Sequence, residues 1–163
     1  MRRILWRLLW LQWGMWLSLP AAVAGPSPLA SCQFASTIPQ PPLFAFAQSL
    51  YTAGEYYRAI GEFQRFLFFQ PEHPLASEAI LTIGLAFFCG ERWLQAFEMF
   101  RRVTGVTPDA AIRAEAALWM AETRARGGDQ DEAIRLYRGL IGQYPGSAVA
   151  ERAVYLIGWS LLR

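Results

Sequence analysis

Small and large apolar residues return along the chain at one fixed interval. Ala47, Gly84, Ala121 and Gly158 stand 37 positions apart, and so do Ala59, Ala96 and Ala133. The aromatics Phe63, Phe100 and Tyr137 and the prolines Pro71, Pro108 and Pro145 keep the same spacing. Four columns in one register mark a solenoid, in which each unit buries its apolar face only against its neighbours. Within a unit the pattern predicts two helices. Residues Ala114 to Arg126 are helical by composition, Gly127-Gly128 breaks them, and Asp129 with Glu132 reads as a capping box opening the next helix. That second helix runs through Ala133, Tyr137 and Leu140 until Tyr144-Pro145-Gly146 ends it. In the first unit Gly54 breaks, and Ala59, Phe63 and Phe66 follow; in the second, Gly90 breaks one residue early. The small residues predict close crossings at Ala47/Ala59, Gly84/Ala96 and Ala121/Ala133, where a larger side chain would hold the helices apart. The expected units are 43–73, 74–110, 111–147 and a partial 148–163.

The first 24 residues carry a different pattern. Arg2, Arg3 and Arg7 begin it, an apolar stretch follows from Leu8 to Leu19, and Pro20 precedes Ala22-Val23-Ala24. This is the three-part layout of a secretory signal peptide, cleaved before Gly25. Positive charge stays on the cytoplasmic side while the apolar part enters the membrane. An uncleaved anchor is the alternative, but Gln12 and Pro20 interrupt a stretch already shorter than the ~20 residues a spanning helix needs. Trp6, Trp10, Trp13 and Trp16 read as bulky apolar filler of the signal. A second processing site lies at Leu29-Ala30-Ser31-Cys32, which resembles the lipobox of bacterial lipoproteins. That resemblance implies a diacylglycerol on Cys32 as the mature N-terminus and, through Gln33, delivery to the outer membrane. Cys89 is then a lone thiol packed as a small hydrophobe, or else a disulfide partner of Cys32 in an exported compartment. The proline-rich stretch 25–42 reads as an extended tether.

Charge and composition exclude several functions. The 15 basic and 13 acidic residues give a net charge of +2, and three of the bases belong to the leader. The rest therefore lacks the basic field of a nucleic-acid binder. At 54% hydrophobic and 17% charged, the chain forms a core and is no disordered segment. His73, the only histidine, sits between Glu72 and Pro74 and reads as a solvated turn residue. A Ser–His or Cys–His pair would have to use it. The two cysteines are too far apart in sequence to suggest a metal site, and Gly127-Gly128 lacks the lysine of a phosphate loop. No enzyme activity, metal or cofactor is expected.

The recurring columns resemble the tetratricopeptide repeat from about Leu43 to Arg163. The family's small residue of helix A appears as Ala47, Gly84, Ala121 and Gly158. Its Ala-x-x-x-aromatic of helix B appears as Ala59/Phe63, Ala96/Phe100 and Ala133/Tyr137, and its closing proline as Pro71, Pro108 and Pro145. The resemblance implies an all-α fold, a right-handed solenoid of antiparallel helix pairs in about three and a half repeats. The usual repeat has about 34 residues, so this one is longer at its junctions. Such junctions resemble those of exported envelope proteins of the BamD and CpoB (YbgF) kind. The family's frequent tryptophan of helix A is replaced by Leu43, Ile80, Ala117 and Val154.

The resemblance also places helix A on the concave side. Column by column, it implies a partner-binding groove of Phe44, Gln48 and Tyr51, then Leu81, Leu85 and Phe88. Leu118, Glu122 and Arg126 continue it, and Tyr155 and Trp159 complete it. An apolar stripe of that size suits an amphipathic helix or an extended peptide. The same residues could equally be core between repeats, or be covered by the tether. Phe66-Leu67-Phe68-Phe69 reads as core filling. The fourth unit places Val154, Ile157, Gly158 and Leu161 on the helix A columns and would finish on an apolar face. A longer reading frame, self-association there, or a capping role for the last helix would each account for it. The expected function is a protein–protein interaction scaffold of the cell envelope, in the periplasm or on the outer membrane, holding an envelope protein or peptide. A lipid anchor through Cys32 and homo-oligomerisation through the C-terminal end accompany that expectation. The alternatives are a self-association module and the recognition part of a longer envelope enzyme.

Overall fold

Two glycines and one glutamate show how the helices are joined. Gly54, Glu91 and Gly128 share one register column, and each adopts a positive φ, of 78°, 57° and 92°. Each reverses the chain between the two helices of a pair. The second unit therefore does not turn early at Gly90; it turns in register, on a glutamate held in the left-handed region that favours glycine.

The computed structural model describes residues 39–161, all within one compact unit, Ser36–Arg163. The leader, Cys32 and most of the tether lie outside the described residues, as do Leu162 and Arg163. Among the described residues there are seven helices and no strand. Three pairs form: α1 (Pro42–Thr52) with α2 (Tyr56–Phe69), α3 (Ala76–Cys89) with α4 (Trp93–Val106), and α5 (Ala110–Arg126) with α6 (Gln130–Gln143). A seventh helix, α7 (Ala148–Leu161), follows. Each helix packs on the next in sequence, and α3 also touches α5 while α5 touches α7. The odd-numbered helices thus make one row of a helical solenoid.

The starts of these helices follow from their caps. Pro42 at the first position supplies a preset φ where no amide partner is needed. Asp109 accepts from the amides of Ala111 and Ile112 at 2.8 and 3.3 Å. Asp129 accepts from Glu132 N at 3.2 Å, but the Glu132 carboxylate pairs with Arg135. The capping box is therefore half formed.

Side chains of each pair interlock where the register columns meet. Phe44 meets Phe63 and Phe66 edge-on, with ring centroids 5.4 Å apart in both cases. A Cβ built on Gly84 would lie 2.6 Å from Phe100 Cε1. The small residue of helix A is thus kept small by the aromatic of helix B, one helical turn beyond the alanine expected to face it. The columns Ala59/Ala96/Ala133 and Phe63/Phe100/Tyr137 are fully buried. Phe68 and Phe69 do not fill the core: after buried Phe66 they stand 79% and 63% exposed, stacked edge-on against each other. The helical period carries them past the contact with α3.

Candidate partner-binding face

The implied groove residues divide by burial. Phe44, Leu81, Leu85, Phe88 and Leu118 are buried. Gln48, Tyr51 and Glu122 are half-buried, and Arg126, Tyr155 and Trp159 are exposed. The buried members have helical partners: Phe44 sits in the α1–α2 cluster, and Phe88 meets Trp93 and Trp119 edge-on at 5.2 Å each. Of the implied groove residues, those accessible on α5 are polar, Glu122 and Arg126, and those on α7 are aromatic, Tyr155 and Trp159.

The polar part of the face is organised around Glu122. One carboxylate oxygen accepts from Tyr137 OH at 2.8 Å and the other from Arg126 Nε at 3.0 Å. Burial first, and then the Glu122 charge, push the Tyr137 phenol well above its ordinary value. The hydroxyl therefore stays protonated and donates, which ties α6 to α5 beneath the face. Gln48, which holds the column of Glu122 in the first unit, has its Oε1 buried without a hydrogen-bond partner among the described residues.

A second polar constellation was missed in the sequence. Glu115 on α5 is buried and accepts from Trp119 Nε1 at 2.9 Å; Arg152 Nη1 on α7 donates to both of its carboxylate oxygens at 3.1 Å. Glu115 and Arg152 occupy the same column of successive repeats, so the ion pair ties one odd helix to the next. Opposite charges at exactly one period were the available signal. Glu78 holds this column on α3, where burial raises its carboxyl above the usual range. Trp119 lies between repeats, stacked near Phe100 at 6.3 Å between centroids, and nothing in its column marked it in advance.

Neither reactive side chain builds a catalytic arrangement among the described residues. His73 is more than a solvated turn residue: its Nδ1 accepts from Leu75 N at 3.1 Å, and its ring packs edge-on against Phe66. Cys89 carries a free, half-buried thiol. Burial raises its pKa, against hydrogen bonds with Tyr56 and Tyr51 that lower it. No group of three or more His, Cys, Asp or Glu that could hold a metal occurs among the described residues.

The aromatic part of the face belongs to α7. Tyr155 shares its column with Phe44, Leu81 and Leu118, which are 0%, 1% and 1% exposed, yet Tyr155 is 69% exposed. Val154, Trp159 and Leu161 are exposed beside it.

No curated protein matches this chain significantly. A family model does: residues 115–147, covering most of α5 and all of α6, match the tetratricopeptide repeat. These residues carry Ala121, Ala133, Tyr137 and Pro145, one member of each register column. The α5–α6 pair is therefore similar to a tetratricopeptide repeat, within an all-helical solenoid that repeats the same helix-pair plan.

Proposed function

We propose that this chain is a non-enzymatic scaffold of the bacterial cell envelope that holds a partner protein on the row of odd-numbered helices. Tetratricopeptide repeats generally mediate protein–protein contacts, and the similarity of α5–α6 to that repeat supports the general reading. The observation that carries it is the exposed aromatic run on α7, where Tyr155 and Trp159 continue columns that are buried or half-buried in the earlier repeats. An exposed apolar patch on an otherwise well-packed solenoid is a contact surface. Half-buried Gln48 and exposed Arg126 give its polar positions.

The leader pattern and the lipobox-like Leu29-Ala30-Ser31-Cys32 support export and a lipid anchor on Cys32, with the proline-rich tether holding the solenoid off the membrane. The periplasmic side of the outer membrane is the site this reading assigns. The envelope pathway rests on the resemblance in the junctions alone.

In-cell photo-crosslinking from positions 126 and 159 tests the scaffold. A heterologous envelope protein among the products supports it. Products containing only this chain overturn it in favour of a self-association module. Mass spectrometry of the mature N-terminus tests the anchor: a diacylglyceryl group on Cys32 is expected, and an unmodified N-terminus at Gly25 would overturn it.

A further inference from the structure

The junctions that lead from one helix pair to the next each hold a side-chain acceptor, and the acceptors differ in chemistry. Asp109 Oδ1 accepts from the amides of Ala111 and Ile112 before α5, and Ser147 Oγ accepts from Ala150 N at 3.1 Å before α7. Before α3 the acceptor is an imidazole: His73 Nδ1 takes the amide of Leu75 at 3.1 Å. The same ring meets Phe66 edge-on at 5.4 Å, so one side chain touches both the end of α2 and the start of α3. This junction has few other backbone ties. Pro71 and Pro74 have no N–H to donate, and His73 N reaches Gln70 O at 3.3 Å. A nitrogen that accepts a hydrogen bond carries no proton, so the neutral ring holds its hydrogen on Nε2. Protonation would put a second donor against Leu75 N–H, and the amide of that buried residue would lose its partner. The charged neighbours do not pair with the ring. Glu72 beside it is exposed, Glu62 on α2 pairs with Arg65, and α1 carries no charged residue. Glu78 on α3 is half-buried, and burial raises its carboxyl above the usual range.

We propose that His73 makes the α2–α3 junction an acid-sensitive joint, in which protonation of the ring releases the start of α3 while the junctions built on Asp109 and Ser147 hold. The bond exists with the neutral ring and is lost with the cation. It is therefore complete above the ordinary imidazole range, near about pH 6.5, and fails as pH falls below it. A carboxylate acceptor keeps its charge until about pH 4, and a hydroxyl does not titrate, so the other two junctions stay closed. The opening is local. Leu75, Ala79 and Ile83 share a core cluster with Phe44 and Phe66, which keeps the first pair against α3 while the turn between them loosens. The joint rests on this hydrogen bond and stands apart from the scaffold reading.

Amide hydrogen exchange in the full chain, followed by NMR at pH 7.5 and pH 5.0 and corrected for intrinsic rates, tests the joint. Protection of the Leu75 amide is expected to fall at least tenfold at the lower pH, with the amides of Ala111 and Ala150 changing less than twofold. The ring nitrogen shifts at pH 7.5 should show the Nε2–H tautomer. His73 is the chain's only histidine, so substitutions there separate its titration from every other effect. His73→Asn offers an amide oxygen to the same N–H at any pH and should keep Leu75 protected at both values. His73→Ala should lose that protection already at pH 7.5, with circular dichroism unchanged. Equal protection of Leu75 at the two pH values in the parent chain overturns the proposal. So does an Nδ1–H tautomer, or a fall in protection that persists in His73→Asn, since the titrating group would then lie elsewhere.

Discussion

Gly84 and Gly158 hold the same register position on α3 and α7, and their surroundings are opposite. A methyl group on Gly84 would run into the Phe100 ring at 2.6 Å, whereas one on Gly158 would meet nothing within 4 Å. The same contrast separates Leu81, 1% exposed, from Tyr155, 69% exposed. A register column therefore encodes the capacity to receive a helix, and packing determines whether that capacity is used. In the first three units the receiving side is closed by the even helix of the pair; on α7 it is open among the described residues.

The largest effect that would break this comparison is loss of the aromatic that closes the α3–α4 interface. Phe100→Ala should lower unfolding stability by about 3–5 kcal/mol in a urea titration, as expected for emptying a fully buried ring site. Tyr155→Ala on α7 should stay within about 0.5 kcal/mol of the parent chain. The two glycines should then respond with opposite signs. Gly84→Ala is expected to cost roughly 1–3 kcal/mol by overpacking. Gly158→Ala should gain about 0.5–1 kcal/mol, because alanine restricts the unfolded chain and favours the helix. Equal signs in paired denaturation curves would show that the two faces do not differ.

A smaller effect concerns the polar ties between the open and closed ends. Arg152→Ala removes one partner of buried Glu115, which keeps its bond from Trp119, and should cost about 1–2 kcal/mol with a matching fall in Tm. Tyr137→Phe should cost about 1 kcal/mol through loss of the hydrogen bond to Glu122. The phenol also sets a pH signature. Its folded pKa is raised, so its contribution is complete below the unfolded value near 10 and is lost as pH rises above that value. Stability measured from pH 8 to 11 should fall less steeply in Tyr137→Phe than in the parent. The smallest effect compares the turns. Glu91→Gly should gain roughly 0.5 kcal/mol, relief of the left-handed backbone being partly offset by the freedom glycine adds to the unfolded chain.

The chain's own pattern was enough to read the helix pairs and the residues between them. The period of 37 is visible in Ala47, Gly84 and Ala121, and an all-helical solenoid follows, because a unit with one apolar stripe per helix has only its neighbours to bury it against. Asp129 was legible as a cap for the same reason: a side-chain oxygen next to unpaired amides acts locally. Periodicity along one helix says nothing about which flanking helix covers a given face. Tertiary packing alone therefore set Gly84 against the ring of Phe100, carried Phe68 and Phe69 out to solvent, and buried Phe44 and Leu118 among the implied groove residues. It also paired Glu115 with Arg152, since two charges one period apart become neighbours only when successive repeats stack in register. Spacing is a property of the chain, but burial depends on what lies opposite, and that is decided when the helices pack.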